Sequence, residues 1–247
     1  MRGRAVLAAG TAAIAVLGLA ACNRTGDTAF DARVQAYLMN HPEALRKALD
    51  NMQAKEEAAQ ERAQAGEEAK AVAALPALRG RLERDPADFV ANPDGKVTVT
   101  EFYDYRCPHC INIAPKVVAL IRSRPDVRFV FKEMPIFGAT SEHAARAAMA
   151  AKAQGKDYVG LYDAFMSDHG LADADIDRIA ASKGVDVAAM NAPATVAADN
   201  AHMAATADLA KQLAIDGTPA FVVGDTFIRG EDYDGLVAAI GQAEHKG

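Results

Sequence analysis

Two cysteines separated by two residues give this 247-residue chain its clearest chemical signature. Cys107 and Cys110 stand in the run Tyr-Arg-Cys-Pro-His-Cys-Ile, and the only other cysteine of the chain is Cys22. Thiols at this spacing serve as metal ligands, as a structural disulfide, or as a dithiol that exchanges electrons with other thiols. The surrounding sequence favours electron exchange.

The metal and structural alternatives find little support around this pair. A c-type haem site would need a histidine directly after the second cysteine, where the chain has Ile111. Structural zinc takes four ligands, and the six histidines show no paired spacing that would complete such a site. A disulfide that closes so short a loop would constrain the unfolded chain little. Redox exchange is therefore favoured, and binding of soft Cu(I) by the two thiolates stays open as an alternative.

The position of the pair in the chain predicts different roles for the two sulfurs. The segment 97–103 has the pattern of a strand and 111–121 that of a helix, so Cys107 is expected at the first helical turn. Free backbone N–H groups and the positive end of the helix dipole favour a thiolate there, which makes Cys107 the attacking sulfur. Cys110, in the same turn and more buried, is expected to resolve the mixed disulfide.

The two residues between the cysteines are expected to tune this chemistry. Pro108 suits a first helical position, because its fixed backbone angle fits the helix and it has no N–H to leave unpaired. His109 can place positive charge or a hydrogen bond near the sulfur. Stabilising the dithiol in this way makes the corresponding disulfide a stronger oxidant.

The start of the chain has the pattern of a targeting segment. Two arginines precede an uncharged, mostly apolar run over residues 5–21. A cleaved secretory signal and a retained anchor both fit this run, but Leu19-Ala20-Ala21-Cys22 resembles the lipobox of bacterial lipoproteins and fits best. We therefore expect residues 1–21 to be removed and lipid on Cys22 to anchor a periplasm-facing protein to a bacterial membrane. Disulfides persist in that compartment.

Residues 22–84 are predicted to form a tether and a helical region. Apolar residues fall at spacings of three and four in two short stripes, Val34, Tyr37 and Leu38, then Leu45, Leu49 and Met52. The stripes indicate either a homo-oligomer interface or a helix that folds back on its own domain, and both interpretations stay open. Pro76 and Gly80 are expected to interrupt the helical pattern.

Residues 85–247 have the order of an α/β domain. Four strands are predicted, at 97–103, 127–131, 220–223 and 226–229. An Ala-rich helical insertion over about 139–215 separates the first two strands from the last two, and a helix ends the chain. The formal net charge of −6 includes no basic block, so the sequence does not support nucleic-acid binding.

Residues 89–242 resemble the DsbA-like branch of the thioredoxin superfamily, the periplasmic thiol:disulfide interchange proteins. CPHC is the variant typical of the oxidase, and "DYRCPHC", "FKEMPIFG" and "DGTPAFVVGD" are most similar to the ScsC-like and Com1-like group of that branch. The resemblance implies a thioredoxin fold with an inserted helical domain after an N-terminal helical extension. It also implies a protein thiol:disulfide oxidoreductase that needs no cofactor besides its own Cys107–Cys110 disulfide.

The resemblance implies roles for residues outside the cysteine run. Glu101, six residues before Cys107, matches a buried acid thought to shuttle protons for the buried cysteine, although by itself it would be an exposed strand residue. Pro115 matches the proline that kinks the active-site helix. Thr218 and Pro219 match the cis-proline loop that offers its backbone to a bound substrate.

The direction of exchange stays open. Thr218 before Pro219 resembles isomerases and favours an isomerase or reductase, whereas CPHC favours a DsbA-like dithiol oxidase that donates disulfides. The expected partners are exported cysteine-containing proteins and a membrane thiol redox protein, DsbD-like or DsbB-like. A structural oligomeric lipoprotein with a vestigial redox site is the remaining alternative.

Overall fold

The computed structural model describes residues 28–245, so the predicted signal segment and Cys22 lie outside the described residues. The chain divides into two compact units, Met1–Gln60 and Glu61–Gly247. Among the described residues, no helix combines the length and the apolar character that a membrane span requires.

The described residues form helices and strands in alternating groups. The helices are α1 (Thr28–Asn40), α2 (Pro42–Glu83), α3 (Pro108–Ser123), α4 (Ala139–Ala153), α5 (Tyr158–Ser167), α6 (Asp173–Ser182), α7 (Val187–Met190), α8 (Pro193–Gln212) and α9 (Tyr233–Glu244). The strands are β1 (Phe89–Ala91), β2 (Val97–Tyr103), β3 (Val127–Glu133), β4 (Ala220–Val223) and β5 (Thr226–Arg229).

The first unit consists of α1 and the first part of α2. A break at His41 separates the two helices, and Pro42 opens α2 with Glu43 in its first turn, where proline and an acidic residue suit a helix start. None of residues 28–60 is buried. The apolar side chains of the two stripes are exposed, namely Val34, Tyr37, Leu38, Leu45, Leu49 and Met52.

The C-terminal part of α2, in the second unit, corrects one prediction. The helix continues through Pro76 and Gly80 to Glu83, so the predicted interruption is wrong. An interior proline removes one backbone hydrogen bond and crowds the preceding turn. Burial of leucines on both sides of Pro76 offsets that cost, because these side chains pack into the second unit's core. The buried leucines are Leu75, Leu78 and Leu82.

The second unit is built on a five-stranded sheet with the order β1-β3-β2-β4-β5. β2 and β3 are parallel, and the other neighbouring pairs are antiparallel. The strand β1 was not predicted, because three residues are too few to show an alternating pattern. The other four strands lie at the predicted positions, except that β3 extends to Glu133.

Helices cover both faces of this sheet. Phe102 of β2 packs with the end of α2 and with α8, whereas Val99 and Tyr103 face a larger core that includes α3 and α5. A strand with both faces covered is apolar along most of its length. Glu101 is therefore an unusual residue in β2, because it stands on the same face as Val99 and Tyr103.

The segment between β3 and β4 was predicted as one Ala-rich helical stretch and forms five helices, α4 to α8. Gly155 and Gly184 follow α4 and α6 with positive φ angles of 64° and 80°, which glycine adopts at little cost. Asp157 and Asp186 then cap the next helices by accepting backbone N–H groups. The predicted α/β fold with a helical insertion and an N-terminal helical part is confirmed.

Candidate active site

The two cysteines occupy the beginning of α3. Cys107 is the residue that precedes the helix, Pro108 is its first residue, and Cys110 lies in the first turn. Both thiols are free in the structure and both residues are buried, with 2% of Cys107 and 0% of Cys110 exposed. Pro115 lies inside α3, where the sequence places it.

Sheet pairing brings the distant Thr218-Pro219 segment to Cys107. β2 pairs antiparallel with β4, and Phe102 is opposite Ala220, so the chain after β2 and the chain before β4 meet at one sheet edge. The Thr218–Pro219 peptide bond is cis. The Cys107 Sγ lies 3.1 Å from the Thr218 carbonyl oxygen, to which the thiol donates.

Hydrogen-bond donors stabilise the thiolate of Cys107. The Cys110 thiol is the strongest of them, and the Thr218 side chain and the backbone N–H groups of Cys110 and His109 add to it. Together they outweigh the cost of burial and lower the Cys107 pKa to about 5. Thr218 Oγ1 is buried, and among the described residues no other hydrogen bond occupies it.

Cys110 has the opposite electrostatic environment. Burial raises the pKa of its thiol well above the ordinary value, and the hydrogen bond that it donates to Cys107 raises it further. Repulsion from the Glu101 carboxylate acts in the same direction. Cys110 therefore keeps its proton until a base removes it.

Glu101 is the candidate for this base, because it is a buried acid with a raised pKa. It is only 1% exposed, and the Tyr162 hydroxyl donates to its Oε1 over 3.2 Å. Burial raises its pKa to about 8, against the lowering effect of that hydrogen bond. Its Oε2 has no hydrogen-bond partner among the described residues. A carboxyl with a pKa near neutrality can both take up and release a proton under physiological conditions.

The His109 side chain contacts a residue that sequence reasoning missed. Its Nδ1 lies 3.1 Å from Oε1 of Glu231, which follows β5. The N–H of the preceding residue, Gly230, donates to the Pro219 carbonyl over 2.8 Å. No local pattern could connect His109 with a residue more than a hundred positions along the chain.

Comparison with known proteins identifies the family. Residues 98–241 match the DSBA-like thioredoxin domain. The chain belongs to the DsbA-like thioredoxin family. It is 31% identical over 159 residues to the thiol:disulfide interchange protein DsbA of Bordetella parapertussis, a match that covers 60% of this chain and 75% of that protein.

Solved structures are similar to this DsbA-like chain over different lengths. A thioredoxin-like oxidoreductase from Silicibacter pomeroyi is 39% identical with a TM-score of 0.61, over 68% of this chain and 98% of that one. Proteus mirabilis ScsC in a transitional conformation is 25% identical with a TM-score of 0.65, over 91% of this chain and 100% of that one. The predicted thiol:disulfide oxidoreductase of the DsbA and ScsC type is confirmed, and proteins that exchange disulfides with it are the general kind of partner.

A buried aspartate supports the active-site loop of this DsbA-like chain. The Asp104 carboxylate accepts the backbone N–H groups of Arg106, Ile136 and Phe137 at 2.6 to 2.9 Å. It thereby joins the turn before Cys107 to the loop after β3. An aspartate that accepts from the N–H two residues later is a common turn signal, so Asp104 could have been found from the sequence.

A second buried acid lies on the same side of the sheet as Glu101. Oε1 of Glu133 accepts from the hydroxyls of Tyr103 and Tyr158, each over 2.6 Å. Burial raises the Glu133 pKa to about 8, although both hydroxyls lower it. The charge of Glu101 is among the causes that raise the Cys110 pKa, so Glu101 is the candidate acid of this site.

One further cluster has residue types that bind metals. Asp85, Asp88 and His202 place ligand atoms within 4.8 Å of one another. The Asp88 carboxylate, however, lies 2.5 Å from the Lys132 ammonium and 3.2 Å from Nε2 of His202. The Lys132 ammonium balances its charge, so the cluster fits a buried ion pair better than a cation site.

Proposed function

We propose that the protein is a periplasmic thiol:disulfide isomerase or reductase that acts on exported proteins. The observation that supports this proposal best is the asymmetric cysteine pair beside the Thr218–Pro219 loop. Cys107 has a pKa of about 5, so it is a thiolate at neutral pH, whereas Cys110 retains its proton. This is the arrangement that a nucleophile and a resolving thiol require.

The reaction begins at Cys107. Its thiolate attacks one sulfur of a substrate disulfide, forms a mixed disulfide, and releases the other substrate sulfur as a thiolate. In an isomerase, that thiolate or another substrate thiolate attacks the mixed disulfide in turn. A new substrate disulfide then forms, Cys107 leaves as the thiolate, and no net electrons are transferred.

The reductase branch uses Cys110. Glu101 as carboxylate accepts the Cys110 proton, and the resulting thiolate attacks Sγ of Cys107. The Cys107–Cys110 disulfide forms, and the substrate leaves with both of its sulfurs reduced. Two electrons pass from the protein to the substrate, so a membrane thiol reductase of the DsbD type must return them. The unpartnered Oε2 of Glu101 is the atom proposed to hold the proton.

Thr218 supports the isomerase or reductase direction. Its carbonyl accepts from the Cys107 thiol, and its side chain helps to lower the Cys107 pKa. We propose that the backbone of the Thr218-Pro219 segment also pairs with the substrate chain. A cis-proline loop with threonine at this position resembles isomerases more than the oxidase.

An oxidase is the second candidate function, because the low pKa of Cys107 supports it as well. A Cys107 pKa of about 5 stabilises the dithiol, and this makes the disulfide a stronger oxidant. CPHC supports the same direction. In that case a DsbB-like membrane partner would reoxidise the protein.

The redox state in cells tests the direction. Cells that produce the protein are quenched with acid, free thiols are alkylated with a reagent that adds mass, and the shift on a gel is compared with that of the Cys107→Ser/Cys110→Ser variant. We expect the Cys107–Cys110 pair to be mostly reduced. A mostly oxidised pair would contradict an isomerase or reductase and support the oxidase.

Lipid on Cys22 is proposed to hold the protein at a membrane facing the periplasm. The support is the lipobox-like run that ends at Cys22. Multiple acyl chains at about 0.8 kcal/mol per buried CH₂ would make the attachment stable. Mass spectrometry of the N-terminal peptide should show a diacylglycerol-modified Cys22, and a Cys22→Ser variant should lose membrane association.

Homo-oligomerisation through residues 28–84 is also proposed. All six apolar side chains of the two stripes are exposed in the first unit, more than a solvated helix needs. Light scattering on the chain from residue 23 should give more than one copy. Leu45→Gln/Leu49→Gln should reduce that mass, whereas Gln53→Glu/Gln60→Glu, which alters polar positions of the same helix, should not. A monomeric parent chain would contradict the proposal.

A further inference from the structure

The contact between His109 and Glu231 links three parts of the active site. His109 lies between the two cysteines, and its Nδ1 meets Oε1 of Glu231 at 3.1 Å. The backbone N–H of Gly230, the residue before Glu231, donates to the Pro219 carbonyl. A single segment after β5 therefore contacts both the CPHC helix and the loop beside Cys107.

The backbone around Glu231 is held in place. Gly230 has a φ angle of 69°, a conformation that side chains disfavour. The Glu231 carbonyl accepts from the Tyr233 N–H over 2.9 Å, and the Asp232 side chain caps α9 by accepting from the Gly235 N–H over 2.9 Å. The backbone position of Glu231 is thus set by the turn before α9.

The backbone and the side chain of His109 contact different groups. Its backbone N–H is one of the donors that stabilise the Cys107 thiolate. Its imidazole is engaged by the Glu231 carboxylate, with 64% of the His109 side chain and 43% of the Glu231 side chain exposed. An imidazolium near a thiolate stabilises it, and a carboxylate paired with that imidazolium offsets its charge.

We propose that Glu231 is a positioning residue that engages the His109 imidazole, offsets its charge at Cys107, and so makes the Cys107–Cys110 disulfide less oxidising. The inference rests on the proposed function, because it concerns the same site. It explains how a chain with CPHC can work as an isomerase or reductase. Without the Glu231 charge, a protonated His109 imidazole would no longer be paired and would stabilise the Cys107 thiolate and therefore the dithiol.

The equilibrium with glutathione at pH 7 tests this role. In that reaction, the Cys107–Cys110 disulfide and two glutathione thiols give the protein dithiol and one glutathione disulfide. Glu231→Gln should move the equilibrium constant about two- to fivefold toward the protein dithiol, the size of effect expected for one exposed ion pair. Glu231→Asp, which keeps the charge, should lie nearer the parent protein.

Two further variants separate this role from a general charge effect. Asp234→Asn removes an equal charge from the first turn of α9 and should change the constant less than about 1.5-fold. Adding Glu231→Gln to a His109→Gln background should likewise change it less than about 1.5-fold, because the imidazole is already absent.

Three results would overturn the proposal. They are an unchanged constant in Glu231→Gln, a shift toward the disulfide, or an equal shift in the His109→Gln background. These results are independent of the redox state in cells. An oxidised pair in cells would contradict the proposed direction and leave the effect of Glu231 on the equilibrium in place.

Discussion

The two ends of the CPHC motif lie in different environments although only two residues separate them. Around Cys107, thiol, hydroxyl and backbone donors converge on the sulfur and lower its pKa to about 5. Around Cys110, the surroundings are buried and include Glu101, and the pKa of the thiol rises. The fold thus stabilises negative charge at one sulfur and disfavours it at the other.

The comparison shows how the fold sets the order of the reaction. Cys107 stands before the first helical residue, where backbone N–H groups have no intrahelical partner. Cys110 lies inside the first turn and faces the core. A displacement of three residues along the chain therefore separates the proposed nucleophile from the proposed resolving thiol, and the charge of Glu101 further disfavours ionisation of the second sulfur.

Removing either sulfur should have the largest effect and should separate the two roles. Cys107→Ala and Cys110→Ala are both expected to reduce insulin-reduction turnover to background. Only Cys110→Ala should accumulate a mixed disulfide with substrate, because Cys107 can still attack but nothing resolves the product. Non-reducing gels after reaction with a disulfide-bonded substrate measure this adduct. An adduct on Cys107→Ala instead would reverse the assigned roles.

The Cys107 thiol should ionise with a midpoint at low pH. Thiolate absorbance at 240 nm should titrate near pH 5, and Cys107→Ala should lose this transition. The folded-state pKa lies below the ordinary value of 9.0, so the thiolate stabilises the reduced protein fully above pH 9 and progressively less as pH falls to 5. A midpoint near 9 would contradict the stabilised thiolate.

Glu101→Gln should slow the resolving step and stabilise the fold. The folded-state pKa of about 8 lies above the ordinary 4.5, so the carboxyl costs no stability below pH 4.5 and a growing amount as pH rises to 8. The variant should gain about 4 kcal/mol of unfolding free energy at pH 8 and less than about 1 kcal/mol at pH 5. Urea denaturation at both pH values, together with the decay rate of the mixed disulfide, measures the two effects.

Glu133→Gln is the matched control for that experiment. Glu133 is also buried, with a pKa raised to about 8, and two tyrosine hydroxyls occupy one of its oxygens. It should change the pH dependence of stability in the same direction and leave resolution of the mixed disulfide unchanged. If both variants slow resolution equally, a specific role for Glu101 fails.

Thr218→Val should have the smallest effect. It removes one hydroxyl donor to the Cys107 thiolate and keeps the side-chain shape, so the Cys107 pKa should rise by about 0.5 to 1 unit. Thr206→Val is the control, because Thr206 is also buried but lies on α8, where its hydroxyl has no partner among the described residues. An unchanged Cys107 pKa in Thr218→Val would show that the hydroxyl does not donate to the sulfur.

Local patterns allowed most of the second unit to be predicted. The strands β2, β4 and β5 and the helix start at Pro108 follow from alternation, turn residues and proline placement. The strand β1 was missed because three residues give no periodicity, and α2 continues past Pro76 because tertiary packing of its leucines overrides the local signal. Local sequence predicts an element well when the residues within and next to that element are what stabilise it.

The candidate site shows the same limit. Cys107 and Cys110 are adjacent in sequence, so their relation is visible there, and resemblance supplied Glu101 and Thr218-Pro219. Tyr162 and Glu231 reach the site through the inserted helices and the last turn before α9. Their contacts depend on how distant elements pack, which residue spacing does not encode.

Competitive alkylation of the reduced protein at pH 7 tests the central claim most directly. A substoichiometric amount of iodoacetamide is added to the folded protein, the reaction is quenched with acid, and mass spectrometry measures the label on each cysteine. The Cys107 thiolate and the protonated Cys110 thiol predict label almost entirely on Cys107. Equal labelling, or label mainly on Cys110, would contradict the assignment of nucleophile and resolving thiol.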